Sequence, residues 1–377
     1  MMNSPGFFMT VLAFVAVLGP LVFVHEMGHY LVGRWCGVKA ETFSIGFGPE
    51  LFAWVDRRGT RWRVAALPLG GYVRFKGDMN AASQTDPEWL KLSPAEREQS
   101  FPGKPLWQRA AIVAAGPFVN LAFAVLLLAG LAYVRGEAVT EPVIGHVAQG
   151  SAAEDAGLRE GDRIVRIMGR DIEGFRDIST IVSLRPAEPL DYVIDRDGET
   201  IEAVIAAGTR IEEDRFGNIY RVGQLGVASG ELTLRPVSLL QAPVVGFNQA
   251  VDITRTAIDG MGQIITGRRS VKELGGPLKI ADISGQAASL GIASFIFFMA
   301  LISINLGFIN LLPIPMLDGG HLLFYALEAI QRRPVSPQVQ EWAYRSGLAL
   351  LLTLMVLVTF NDLGSFGLWR SLSGLIG

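Results

Sequence analysis

The chain has 377 residues, half of them hydrophobic, with a positive mean hydropathy of +0.35 and a net charge of only −3. A soluble protein of this length rarely has positive mean hydropathy, so the composition points to a polytopic α-helical membrane protein in contact with a lipid bilayer. The basic residues form no nucleic-acid-like block, which argues against a nucleic-acid partner. The one cysteine, Cys36, excludes an intrachain disulfide and a structural zinc site built on cysteines.

Residues 6–24 carry no charge and the apolar pattern runs on to about Val32, enough for a first spanning helix within residues 1–33. A cleaved signal peptide competes with this reading, but there is no basic leader region and no A-x-A-like cleavage site. The segment contains Val22-Phe23-Val24-His25-Glu26-Met27-Gly28-His29-Tyr30, with the spacing H-E-x-x-H. Ionisable groups inside an apolar span are costly, which makes the cluster a candidate site. On a helix, positions i and i+4 share a face, so His25 and His29 can aim both rings at one ion with Glu26 beside it. Two imidazoles on zinc with a glutamate as general base is the arrangement of zinc metalloproteases.

Arg34 ends the span, and Arg57, Arg58, Arg61 and Arg63 follow closely. The excess of positive charge predicts that residues 34–109 are cytoplasmic and the N-terminus is outside. Arg61 to Leu67 partly alternates and Leu69 to Phe75 resumes after Pro68. This predicts short strands around a glycine turn at Gly70 and Gly71, a small β-element lying against the membrane near the active site. A plain hairpin with no catalytic role fits the pattern equally. Residues 80–105, with four prolines, read as a mobile loop. Residues 110–135 form the second span. Its Gly116-Pro117-Phe118-Val119-Asn120 fits either kinked helix packing or a catalytic-cavity lining.

Residues 140–230 turn soluble in composition. A strand at 143–147, a short helix at 151–156, a turn and strand over 157–169, a helix at 175–184 and a hairpin at 190–194 and 200–205, joined by Asp197-Gly198, are expected in that order. A generic small β-rich domain is one reading. The Gly157-Leu158-Arg159-Glu160-Gly161-Asp162-Arg163-Ile164 stretch also resembles that of bacterial PDZ domains, which implies a mixed α/β fold that takes extended peptides against an open strand edge. Residues 231–290 read as a linker, with an interfacial helix over 239–265 as one form of it.

The third span lies in residues 291–320, from Ile292 to about Leu312, and its end is broken by Pro313, Pro315, Gly319 and Gly320. Irregular backbone at membrane depth is tolerated where it lines a cavity. Asp318 sits there, on the same predicted side as the histidines, and supplies the third ligand that a catalytic zinc site needs. His321 competes for that place, but beyond the glycine pair it is expected to turn toward the interface. Residues 321–345 read as a cytoplasmic loop and 346–377 as the fourth span and C-terminus, its apolar run being Ser346 to Phe360. Both termini and the 140–230 domain then lie outside.

H-E-x-x-H in the first span with Asn310-x-x-Pro313-x-x-x-x-Asp318-Gly319 in the third resembles the paired signature of the site-2 protease family of intramembrane metalloproteases. The Gly116-Pro117-x-x-Asn120 motif and the single inserted domain look like the bacterial branch typified by the regulator-of-sigma-E protease. That resemblance implies Zn2+ held by His25, His29 and Asp318, Glu26 as base, and Asn310 and Asn120 positioning substrate or the developing oxyanion. It implies cleavage within transmembrane segments of single-span membrane proteins, such as anti-sigma factors or signal-peptide remnants, in a bacterial inner membrane. The β-element around Gly70, Gly71 and Tyr72 would hold the unwound substrate by strand pairing, and the PDZ domain would exclude a substrate ectodomain or read a new C-terminal peptide. Other membrane zincins with H-E-x-x-H take a glutamate as third ligand and have no PDZ insert. A catalytically inactive membrane-anchored PDZ scaffold is the non-enzymatic alternative.

Overall fold

A computed structural model describes residues 6–78, 89, 91–183, 185–213, 219–230, 232–265 and 275–365. The uncharged N-terminal run forms helix α1 (Phe7–Trp35), which ends where the Cys36 N–H caps the Val32 carbonyl at 2.9 Å. Strands β1 (Ala40–Val55) and β2 (Arg61–Phe75) follow as one sheet. The connecting turn is made by Asp56, whose carboxylate accepts the Arg58 and Thr60 N–H groups at 2.8 and 3.0 Å, with Gly59 at positive φ. The first half of β1 lies between two segments of β2. Thr42 and Phe43 face Arg74 and Val73 on one side and Arg61 and Trp62 on the other. The glycine pair therefore does not form the turn: Gly70 and Gly71 lie within one long strand, because β1 supplies partners on both sides of the bend. Helix α2 (Pro94–Glu98) starts from a Ser93/Glu96 capping box inside the stretch expected to be a loop, of which residues 80–88 and 90 lie outside the described residues. Helix α3 (Leu106–Arg135) continues through Pro117.

The chain divides into two compact units, Met1–Leu131 with Pro243–Gly377, and Ala132–Ala242. The second unit is entered by β3 (Glu137–Thr140), which pairs antiparallel with the exit strand β12 (Leu232–Arg235). Between them come β4 (Ile144–Val147), α4 (Ala152–Asp155), β5 (Arg163–Ile167), β6 (Arg170–Asp171) and α5 (Phe175–Ser183). Next are β7 (Pro189–Arg196), β8 (Glu199–Ala206), β9 (Gly208–Glu213), β10 (Ile219–Gln224) and β11 (Val227–Ser229). The main sheet has the order β6-β5-β7-β8, while β4 pairs with β11 and β9 with β10. The β7–β8 turn is Asp197-Gly198, both at positive φ, as a two-residue hairpin of matching twist requires. Alternate residues of β7 point inward and a register shift in β5 between Ile164 and Arg166 turns both Ile164 and Ile167 the same way, so that Ile164, Ile167, Leu190, Tyr192 and Ile194 bury in one core with Ile178 of α5. Leu184, the expected end of that helix, lies outside the described residues.

The remaining helices are α6 (Ala242–Ile265), α7 (Pro277–Ser289), α8 (Ile292–Asn310), α9 (Asp318–Gln331) and α10 (Pro337–Ser365). Four helices are long and apolar enough to cross a membrane: Phe7–Trp35, Leu106–Arg135, Ile292–Asn310 and Pro337–Leu363. The segment expected as a loop from residue 321 is helical to Gln331, and the last helix begins at Pro337 rather than near Ser346. Polar residues such as Gln340, Glu341 and Arg345 interrupt the apolar run without interrupting helix propensity. Residues 366–377 lie outside the described residues.

Long apolar helices pack closely where small residues let their backbones approach one another. Gly28 of α1 abuts α3, where a Cβ would come within 2.6 Å of the Ala115 carbonyl oxygen, and Gly307 of α8 abuts the Pro117 carbonyl at 2.9 Å. Small clusters fill the space around these contacts. Val17 and Leu21 of α1 pack with Ala287 of α7 and Phe298 of α8, and Tyr30 packs with Phe43, Val73 and Phe75 of the β1–β2 sheet and Ile112 of α3. Asp362 of α10 accepts the Gly276 and Lys279 N–H groups at 3.1 Å, holding the last helix to the start of α7.

Candidate metal centre

Val22, His25, Glu26 and His29 follow the 3–4 spacing of one helix face and line a cavity of about 490 Å3. The two rings stand nearly perpendicular, at 82°, with their Nε2 atoms 3.2 Å apart. Room for them comes from Gly116 on α3: a Cβ there would sit 2.2 Å from His29 Nε2 and 2.9 Å from His25 Cε1. No other side chain fits against that pair of rings. His29 Nδ1 lies 2.8 Å from the Ile112 carbonyl oxygen. A carbonyl only accepts, so Nδ1 carries the proton and Nε2 keeps its lone pair for the cavity.

The opposite side of the cluster comes from the broken end of α8. Residues 311–317 leave helical geometry, with Met316 at φ 85°, and the chain re-enters helix at Asp318. Gly319 and Gly320 do not disrupt that helix. They form its first turn and let it press against the preceding segment, where Cβ atoms would come within 2.2 Å of the Leu312 carbonyl and 2.4 Å of the Ile314 carbonyl. This packing brings Asp318 Oδ2 to 3.2 Å from His25 Nε2 and 3.6 Å from His29 Nε2. One ligand atom from each of His25, His29 and Asp318 lies within 4.8 Å of the others, a grouping able to hold a metal ion.

His321 does not turn toward the interface. Its side chain is buried, lines the same cavity, and its Nδ1 meets the Tyr344 hydroxyl at 3.1 Å. One turn of α9 separates it from Asp318, so the helix that delivers the carboxylate also carries this imidazole into the wall. It stands outside the three-residue grouping.

Of the residues expected to position substrate, Asn310, Gly70, Gly71 and Tyr72 line the cavity. Gly71 is forced by proximity: a Cβ would lie 2.6 Å from the Ser44 carbonyl and 2.9 Å from Glu26 Cγ. The strand thus passes directly over Glu26. Asn120 differs. It has no exposed surface and does not line the cavity; its side-chain amide faces His25 Nδ1 at 3.2 Å, which sets it behind the histidine rather than before a substrate. Sequence reasoning missed the Ile112 carbonyl, for which no signal exists, and the clearance role of Gly116, for which the glycine inside an apolar span was the available sign.

The family model described as peptidase family M50 matches residues 13–354. The chain belongs to that family. Among curated relatives, a provisionally named zinc metalloprotease of Rhizobium meliloti is 45% identical over 94% of this chain and 96% of its own. A similarly named protein of Agrobacterium fabrum is 43% identical over the same shares. Metalloprotease MmpA of Caulobacter vibrioides is 36% identical over 98% of this chain and 99% of its own. A solved PDZ domain of an SdrC-like protein from Listeria innocua aligns with 25% of this chain and 99% of its own at 14% identity and a TM-score of 0.20, too low to carry weight.

The M50 chain is accordingly a zinc metalloprotease, and its four long apolar helices together with its family point to a membrane protein. Two imidazole nitrogens and one carboxylate oxygen converging on a point suit zinc with one coordination position left over. The donors of the cluster fit the metal that the family uses.

Proposed function

We propose that this M50 protease hydrolyses peptide bonds inside the transmembrane segments of single-span membrane proteins, with His25, His29 and Asp318 holding zinc and Glu26 acting as general base. The observation that carries the reading is the convergence of the H-E-x-x-H face of α1 with Asp318 inside a bundle of apolar helices. A water-requiring catalyst placed there serves a bond that is itself in the membrane. When bound, zinc supplies a Lewis acid that polarises the scissile carbonyl and acidifies water.

Glu26, buried beside the cluster, takes a proton from the attacking water and delivers it to the leaving amine. Asn310, on the cavity wall, offers its amide to the carbonyl oxygen as charge develops. A helical substrate must first unwind, since its amides are otherwise satisfied internally. The β2 segment at Gly70, Gly71 and Tyr72 offers backbone groups that pair with the extended chain next to Glu26.

The arginines after α1 favour a cytoplasmic placement of the segment that carries the β1–β2 sheet, in a bacterial inner membrane with both termini outside. The 132–242 unit is read as a periplasmic PDZ domain on its order of strands and helices. It would exclude substrates that keep a large ectodomain or read the C-terminus of those that have lost one.

The experiment is membrane proteomics of cells carrying the wild type or Glu26→Gln. Single-span stubs should accumulate in the mutant alone, and the purified mutant should retain zinc. Undiminished cleavage of a single-span reporter by zinc-loaded Glu26→Gln would sink the assignment.

A further inference from the structure

Among the described residues, the Asn120 amide is the polar side-chain group set behind a cluster histidine, and its chemistry has a consequence for the ring it faces. His25 Nε2 points at Asp318 Oδ2, 3.2 Å away, while His25 Nδ1 points away from the cluster at the Asn120 amide, 3.2 Å away. A neutral imidazole carries one proton. If Nε2 is to give its lone pair to a metal, Nδ1 must hold that proton and must find an acceptor. His29 solves the same problem with the Ile112 carbonyl at 2.8 Å. For His25 the group in reach is Asn120.

The amide presents its Nδ2 to the ring, and its Oδ1 is buried with no hydrogen-bond partner among the described residues. A half-turn of the amide therefore breaks only the bond that it re-forms with reversed polarity. In the present arrangement Nδ2 donates to His25 Nδ1, leaving the ring proton on Nε2 to meet the Asp318 carboxylate. After the half-turn Oδ1 accepts from Nδ1–H and Nε2 is free to ligate. The backbone around this amide is held still. The Asn120 carbonyl accepts the Ser303 hydroxyl of α8 at 2.8 Å, both residues have no exposure, and α8 closes on the Pro117 turn at Gly307.

We propose that Asn120 is a positioning residue for His25: with its side-chain oxygen turned to the ring, it selects the Nδ1-protonated tautomer that ligation of zinc through Nε2 requires. This rests on His25 being a zinc ligand. It assigns the Gly116-Pro117-x-x-Asn120 motif to the metal and not to the substrate. Gly116 clears space for both rings, and Asn120 orients one of them.

The test measures zinc affinity by chelator competition, on the full-length protein in detergent, for the wild type, Asn120→Leu, Asn120→Asp and His25→Ala, with a thermal melt of each. Leucine keeps the volume and removes the acceptor, so zinc should bind roughly 10–100-fold more weakly, the usual cost of a lost outer partner. Aspartate restores an acceptor to Nδ1–H and should return the affinity to within about threefold of wild type. Two results would overturn the proposal while leaving the ligand assignment standing: Asn120→Leu binding zinc like the wild type when His25→Ala does not, or Asn120→Asp proving as damaging as leucine, which would make Asn120 a packing residue. Wild-type zinc affinity in His25→Ala would instead remove the ligand assignment, and the proposal with it.

Discussion

Asp162 in the 132–242 unit and Asp318 in the helical unit are both withdrawn from water, but they are satisfied by different kinds of partner. Asp162 is 1% exposed and is gripped by Arg196, whose Nε and Nη2 donate to the two carboxylate oxygens at 2.7 and 2.8 Å, while the Arg159 N–H adds a third bond at 2.8 Å. Every demand of that carboxylate is met by the protein. Among the described residues, Asp318 has no arginine partner. Its close partners are two imidazole nitrogens, each of which has a lone pair to give once the ring proton sits on the outer nitrogen. Three donor atoms aimed at one point make a group that is completed by a cation. The first arrangement is closed and stabilises a fold; the second is open and suits chemistry.

That contrast fails if removing the metal-site residues merely unfolds the protein, so the sharpest challenge is at the cluster. Asp318→Ala should lose both zinc and cleavage, whereas Glu26→Gln should lower cleavage by roughly 10²–10⁴-fold with zinc content unchanged by elemental analysis. Gly116→Ala sharpens the geometric side. A methyl group 2.2 Å from His29 Nε2 must displace a ring, and the expected drop in zinc affinity is on the order of 10–100-fold with little change in melting temperature.

The closed pair is tested next. Arg196→Met leaves the buried Asp162 carboxylate uncompensated. Because the Arg196 side chain is about a quarter exposed, the expected cost is about 2–3 kcal/mol, below the range for a fully buried pair. Hydrogen exchange over residues 143–206 of the full chain should report it, and zinc content should not move. Burial pushes the Asp162 carboxyl up, yet the Arg196 fork and the Arg159 N–H outweigh burial and hold its pKa below the usual carboxylate value. A carboxyl with a folded pKa below its unfolded one contributes stability that is complete at neutral pH and is lost as the pH falls through the folded value. The gap between wild type and Arg196→Met should therefore close below about pH 4, and a gap that widened there would contradict the pairing.

The smallest effect concerns a group that neither arrangement satisfies. Tyr192 is 1% exposed, its hydroxyl has no hydrogen-bond partner among the described residues, and burial raises its pKa to about 12. Tyr192→Phe should be neutral or should stabilise the 132–242 unit by up to about 1 kcal/mol, since it deletes an unpaired buried hydroxyl. A destabilisation of that size would mean that the hydroxyl is satisfied in solution.

What could be read from the linear chain was local. Period-2 alternation and Asp197-Gly198 were enough to anticipate β7, β8 and their turn, because strand facing and turn twist depend on a few neighbouring residues. Uninterrupted apolar runs located the helices long enough to cross a membrane, although the start of α10 was obscured by polar residues that are compatible with helix. The face shared by His25, Glu26 and His29 follows from 3.6 residues per turn and needs no other part of the molecule. The presence of an aspartate in a segment broken by prolines was likewise plain from the residues.

Contacts between distant segments were not encoded in any such period. Which of Asp318 and His321 stands beside the histidines depended on the first turn of α9 packing against residues 311–315 through Gly319 and Gly320, glycines that read as helix breakers and act as contact points. The same glycine ambiguity hid the course of β2, where Gly71 lies over Glu26 instead of turning the chain. The family resemblance implied that Asn120 positions substrate; its amide meets His25, on a helix 95 residues away in sequence, a partner that no local pattern announces. Local rules tell a residue which way to face within its own element. The atom it meets is set by how closely two backbones approach, and in this protein that distance is controlled by Gly28, Gly116, Gly307, Gly319 and Gly320.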